Sequence, residues 1–361
     1  MIYALLQKGG PLVHVALFGY ITFRAMLAFL TAFFVAFLWG PSVISVLRQH
    51  QKKGQPIRDD GPQHHKELKK GTPTMGGLLI LGSFAAAVLL WGNLANPVLW
   101  WLLFVTFAFG IVGLIDDSLK LYRHNHHGLR PLQKTLLQLL FAGLSAAALW
   151  FLLPEMLRDT LHFPFLKHAF FHLSWLWPLF ALVVLIGSSN AVNLTDGLDG
   201  LAVGPVVIAT AVLSIIAYVV GHKAFALYLQ LPYVPGAGEM GVLGAALIGA
   251  CLGFLWYNAP PAMVFMGDTG SMAMGGFLGG AALLVKHELV FALVGGIFVL
   301  EALSVMIQVG YFKATRKRIF LMAPLHHHFE HKGWSESAIV FRFWIISLIL
   351  GIFGLASLKI R

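Results

Sequence analysis

Uncharged apolar stretches of about 20 residues recur along this chain, and that is the length an α-helix needs to cross roughly 30 Å of hydrocarbon. The feature excludes most folds at once, because backbone N–H and C=O groups in lipid are satisfied only within helices or closed barrels. The stretches predict an all-α integral membrane protein of about ten transmembrane helices. They run from Ile21 to Leu47, Met75 to Trp91, Pro97 to Ile115, Thr135 to Leu153, Ser174 to Asn190, Leu201 to Val220, Met240 to Tyr257, Ser271 to Val285, Leu289 to Phe312 and Ala338 to Leu358. No repeat, low-complexity tract or soluble linker separates them, so residues 1–361 read as a single polytopic membrane domain. The first span carries no marks of a cleaved leader and is expected to remain in the mature protein.

Composition agrees: 58% of residues are hydrophobic and 11% charged, against about 45–50% and 25% in soluble domains. The single cysteine, Cys251, lies in an apolar run, where an inert thiol is expected and neither a disulfide framework nor a cysteine metal site can form. A net charge of +10 fits a nucleic-acid binder or short membrane loops, and loop placement separates the two. An even number of spans puts both termini on one side. The segments 48–74, 116–134, 191–200, 258–270 and 313–337 then share the opposite side and hold 16 Lys and Arg, against 7 in the remaining connections and tails. By the positive-inside bias these five loops are cytoplasmic and both termini periplasmic, with no nucleic-acid partner expected.

Acidic residues near span ends collect at that same face. Asp116 and Asp117 close the third span, Asp196 and Asp199 follow the fifth, and Asp268 follows the seventh. Carboxylates are costly beside hydrocarbon, so five at one depth mark a candidate site, helix capping being the alternative. Adjacent helical residues point about 100° apart, so Asp116 and Asp117 are expected to have different roles. Oxygen-only surroundings suit Mg²⁺, which takes one or two carboxylates with phosphates and water. Gly197, Gly200, Gly267 and Gly270 flank these acids where a backbone could approach an anion, or simply turn. Lys69 and Lys70 end the first loop, and Lys120, Arg123, Arg130 and Lys134 follow the paired aspartates. Cations beside a carboxylate-bound metal are what a diphosphate requires, though lipid headgroups offer a second use for each.

Asn190 and Asn193 are three residues apart on one helical face, suited to reading a base or sugar or to capping the helix. His326, His327, His328 and His331 crowd the last loop, where phosphate or sugar contact fits better than zinc, because successive histidines do not converge on one ion. His124, His126 and His127 read as solvated loop residues. Glu301 and Gln308, seven apart, share a buried polar face of the ninth span. Arg24 and the aromatic residues near span ends read as interface anchors.

Taken together, KKGTPTMGG at 69–77, GLIDD at 113–117, NAVNLTDGLDGLA at 190–202, FMGDTGS at 265–271 and PLHHHFEHKGW at 324–334 resemble the phospho-N-acetylmuramoyl-pentapeptide transferase family. That family lies within the polyprenyl-phosphate N-acetylhexosamine-1-phosphate transferase superfamily. The resemblance runs from the first span to the last. It implies transfer of phospho-MurNAc-pentapeptide from UDP-MurNAc-pentapeptide to undecaprenyl phosphate, yielding lipid I and UMP, in the bacterial inner membrane, by a Mg²⁺-dependent homodimer. By motif match Asp268 would ligate the metal, and Asp116 and Asp117 would handle the metal, the lipid phosphate or its proton. Lys70, Asn193, Asp196, Gly197, Leu198, Asp199, Asn258, Phe265 and Gln308 would frame uridine and diphosphate, with His326, His327 and His328 near the sugar phosphate. Asp268 and Asp117 are the expected metal ligands. Direct attack by the lipid phosphate is expected, a covalent aspartyl phosphate being the alternative. A sister enzyme using UDP-GlcNAc shares the acidic motifs, and a transporter with intramembrane acids is the distant rival.

Overall fold

The computed structural model describes residues 16–51, 71–123, 128–166 and 170–359. Lys69, Lys70, His124, His126 and His127 lie outside the described residues. The helices are α1 (Ile21–His50), α2 (Gly77–Trp91), α3 (Pro97–Tyr122), α4 (Pro131–Leu152), α5 (Trp177–Thr195), α6 (Val203–Val220) and α7 (Lys223–Leu229). They continue as α8 (Met240–Asn258), α9 (Gly267–Val285), α10 (Glu288–Val294), α11 (Gly296–Thr315), α12 (Leu325–His331) and α13 (Glu336–Ala356). A short antiparallel pair, β1 (Thr160–His162) and β2 (Phe170–His172), joins α4 to α5 with Leu161 opposite Phe171. Among the described residues, eight helices are long and apolar enough to cross a membrane, and α2 is apolar but shorter.

The bundle is organised by side-chain size. On α1 the buried residues are Arg24 and then Ala28, Ala32, Ala36, Gly40, Ile44 and Leu47, spaced about one helical turn apart, while Leu30, Phe34, Leu38 and Trp39 face outward. Lipid is as apolar as leucine, so burying large side chains gains little there, and close packing of small residues holds helices together instead. Gly249 and Gly253 of α8 lie against the α1 backbone at Phe29 and Phe33. Pro41 has no N–H to offer the carbonyl of Phe37, and Tyr257 Oη donates to that oxygen at 2.5 Å, as an apolar environment demands of a freed backbone group.

At the centre stands α9, buried at every position from Thr269 to Val285 and packed chiefly on α3 and α5. Its glycines set the spacing: Gly275 sits on the Ser188–Ser189 backbone and Gly276 on the Phe109 ring. A helix enclosed by protein need not be strongly apolar, which is why α9 is not among the eight.

Three expectations are corrected. The stretch from Leu289 to Phe312 is two helices, α10 and α11, divided at Gly295, where a glycine pair makes continuation of the helix least favourable. The third span runs on to Tyr122, so Asp116 and Asp117 lie inside α3 and do not end it. Arg24 is no interface anchor: it is buried, bonds both carboxylate oxygens of Glu239 and donates to Trp91 O. Glu239 also accepts from Asn93 N, so one ion pair ties α1, the end of α2 and the start of α8.

Gly275→Val should lower thermal stability in detergent by about 1–3 kcal/mol, the usual cost of overpacking a core. Thermal unfolding followed by tryptophan fluorescence checks this, and an unchanged midpoint would mean that α5 and α9 are not held at glycine distance.

Candidate functional site

Where α3 passes the start of α9, the backbones come so close that a Cβ at Gly113 would strike the Asp268 carbonyl. That approach lets Asp117 cap α9: Oδ1 accepts from Asp268 N at 3.2 Å, and Oδ2 accepts from Thr269 N at 2.9 Å and Thr269 Oγ1 at 2.8 Å. An anion at a helix N-terminus meets unpaired N–H groups and the positive end of the dipole. Asp116 does not cap α9: it accepts from Leu129 N through Oδ1 at 2.8 Å and pairs with Lys120 through Oδ2 at 2.6 Å, while Lys120 lies 3.7 Å from Asp117 Oδ1. Lys120 also lies 3.2 Å from Asp268 Oδ1, and Lys134 of α4 lies 2.7 Å from Asp268 Oδ2. The two aspartates thus have the different environments that helical geometry required.

One oxygen from each of Asp116, Asp117 and Asp268 falls within 4.8 Å of the others. An all-oxygen donor set built from the C-terminal part of α3 and the first turn of α9 fits a hard divalent cation. Three carboxylates so close would repel, and the two lysines supply the compensating charge.

A second limb is the turn after α5. Asp199 Oδ2 accepts from Ala262 N at 3.0 Å, and Asp199 N donates to Glu336 Oε1 of α13 at 2.8 Å. Asn258 Oδ1 accepts from Gly200 N at 3.0 Å while its Nδ2 donates to Val264 O at 2.9 Å. Leu198 anchors the turn in a small apolar cluster with Leu201, Ile297, Ile339, Val340 and Phe343. The segment 258–266 then runs on to Asp268. Phe265 N donates to Pro73 O at 2.9 Å and Gly76 N to Phe265 O at 2.8 Å, which docks the GTPTMGG segment beside the acidic cluster. Asp196, Asn193 and Phe265 are half-buried along this limb. The amide of Asn190 pairs with Gln138 of α4 and with Ile186 O, so Asn190 and Asn193 share a helix face while Asn190 is engaged between helices.

The third limb is the loop after α11. Gln308 Oε1 accepts from Ile319 N and Phe320 N, and its Nε2 donates to Phe320 O, all at 3.0 Å. His328 Nδ1 accepts from Leu321 N at 3.1 Å, which needs an unprotonated nitrogen; burial, with Lys332 and His331 beside it, shifts the ring below its usual pKa. His327 Nδ1 meets Glu330 Oε2 at 2.6 Å. His326 is buried between Glu301 and Gly197, which joins this limb to the turn after α5.

Glu336 was not expected here. In sequence it is an ordinary acidic residue in the first turn of a helix, and only the packing of α13 brings it to Asp199 N. Asn258→Leu would leave a buried N–H and a buried carbonyl without partners, at about 1–3 kcal/mol each. Its melting temperature should therefore fall without any nucleotide present. An unaltered midpoint would show that this amide does not tie the two loops.

Glycosyl transferase family 4 matches residues 99–286, and the phospho-N-acetylmuramoyl-pentapeptide-transferase signature 1 matches residues 69–81. A phospho-N-acetylmuramoyl-pentapeptide-transferase of Dinoroseobacter shibae is 56% identical over 345 residues, 96% of each chain. One of Ruegeria pomeroyi is 55% identical over 358 residues, covering 99% of this chain and 98% of its own.

Proposed function

The chain belongs to the phospho-N-acetylmuramoyl-pentapeptide transferase family, and we propose that it transfers phospho-MurNAc-pentapeptide from UDP-MurNAc-pentapeptide to undecaprenyl phosphate, forming lipid I and UMP. The observation that carries this reading is the Asp116, Asp117 and Asp268 cluster with Lys120 and Lys134 at its edge. An oxygen of the lipid phosphate attacks the phosphorus bonded to the sugar, and the bond from that phosphorus to the bridging oxygen of UMP breaks. Lys120 and Lys134, released from the carboxylates, neutralise charge spread over the transferred phosphoryl group. Asp116, which does not cap α9, orients the lipid phosphate or takes its proton. A phosphate monoester with a second pKa of about 6 is largely ionised at neutral pH, so alignment contributes more than proton removal.

Asp117 and Asp268 would hold Mg²⁺, which when bound supplies further positive charge to the diphosphate. The Asp196–Asp199 turn, Asn193, Asn258, Phe265, Gln308 and Lys70 would frame uridine and diphosphate, with His326, His327 and His328 toward the sugar phosphate. The remaining features of the reading are ten spans, periplasmic termini, a site at the cytoplasmic face of the inner membrane and a homodimer. The basic bias of loops 48–74, 116–134 and 313–337 supports the orientation, and α2 and α9 supply the two spans beyond the eight strongly apolar ones.

The test is UMP release by purified protein given undecaprenyl phosphate and Mg²⁺. Turnover of UDP-MurNAc-pentapeptide and not UDP-GlcNAc is expected, and the reverse preference would move the chain to the sister activity. Asp268→Asn should lower kcat by about 100-fold or more. EDTA should abolish turnover and Mg²⁺ restore it, whereas full activity in EDTA would remove the metal from the reading.

A further inference from the structure

Glu301 is fully buried in the first half of α11, and its carboxylate meets one residue at two points. Oε1 accepts from His326 N at 3.2 Å and Oε2 lies 3.1 Å from His326 Nδ1. Both groups on His326 are donors only if Nδ1 carries the ring proton, and a carboxylate, which has no hydrogen to give, enforces that state. The other ring nitrogen, Nε2, is buried and has no hydrogen-bond partner among the described residues. It lies against Gly197, where a Cβ would collide with it. A proton on Nε2 would be buried with nothing to accept it, so the arrangement favours a neutral ring with a bare nitrogen aimed at the turn between Asp196 and Asp199.

We propose that Glu301 is a positioning residue that locks His326 in the Nδ1–H tautomer, so that Nε2 accepts a hydrogen bond from a hydroxyl or amide N–H of the bound nucleotide-sugar beside Gly197. The inference rests on the proposed transferase reading for the identity of that ligand. The tautomer itself is independent of it. Glycine at 197 is then required for space, because any side chain would drive the imidazole off the turn. Glu301 touches no substrate, and its effect passes entirely through the ring.

The isosteric variant Glu301→Gln separates electronic positioning from packing. A glutamine offers one acceptor where the glutamate offers two. With its oxygen held by His326 N–H, its NH₂ faces Nδ1, which must then become the acceptor, and the ring proton moves to Nε2. Nitrogen NMR of ¹⁵N-histidine protein in lipid nanodiscs, with His326 assigned by its loss in His326→Gln, reads this directly. Wild type should show Nδ1 protonated and Nε2 bare at pH 8. UDP-MurNAc-pentapeptide should shift the Nε2 resonance as a new hydrogen bond does, and Glu301→Gln should invert the pair and lower kcat by about 100-fold. A protonated Nε2 in wild type, or a Glu301→Gln protein of wild-type kcat, overturns the proposal. Should Glu301→Gln not fold, the wild-type spectrum and Gly197→Ala still decide. That variant should keep the Nδ1–H tautomer and lose both the ligand-induced shift and turnover, and a retained shift overturns the proposal. Wild type that leaves UDP-MurNAc-pentapeptide unconverted while showing the expected tautomer would defeat the transferase reading and not the role of Glu301 toward the ring.

Discussion

Asp117 holds the site together by reaching from within α3 to cap the start of α9. Its carboxylate accepts three hydrogen bonds from the first turn of α9, and this contact fixes where Asp268 stands relative to α3. The contact exists only because Gly113 has no side chain to keep the two backbones apart. With α9 seated, Asp268 reaches Lys120 on α3 and Lys134 on α4, and three carboxylates that would repel one another in isolation are stabilised by two ammonium groups and a helix N-terminus.

The remaining limbs are coupled to that junction through polar side chains that tie backbone to backbone. Asn258 joins the turn after α5 to the segment leading to Asp268, Asp199 joins the same turn to Ala262, and Glu336 reaches it from α13. Gln308 shapes the loop before α12, and Glu301 secures that helix through His326. These groups sit at one end of a bundle in which alanine and glycine contacts bring helices close and buried phenylalanine, leucine and tryptophan side chains such as Phe84, Phe109, Leu102 and Trp177 fill the space between them. A dry interior makes each such bond costly to lose, which keeps segments far apart in sequence in a fixed relation.

Much of this was legible in the chain itself. The apolar runs gave most of the long helices to within about five residues, the third span and the Leu289–Phe312 stretch being the exceptions, since the length needed to cross hydrocarbon and the cost of charge there leave little freedom. Five acids stood out because carboxylates beside hydrocarbon require a reason, but of these only Asp116, Asp117 and Asp268 form the cluster, while Asp199 is engaged with Ala262 N and Glu336 in a separate turn. The break at Gly295 was hidden because a glycine pair within an apolar run does not alter its hydropathy. Arg24 was misjudged because a lone arginine near a span end looks the same whether it faces headgroups or a buried partner 215 residues away. Glu336 carried no signal at all, since an acid in a first helical turn is ordinary.

The sequence alone determined that the chain is a helical membrane protein, which acids and lysines are candidates for chemistry, and which family its motifs resemble, because these follow from local composition, length and residue order. Only the tertiary structure decided which carboxylate caps α9 and which faces Lys120, that Asn258 and Gln308 brace loops, and that Glu301 answers His326. Those assignments depend on distances between residues far apart in the chain, and such distances are fixed by how closely small-residue faces let the helices approach, which no local pattern records.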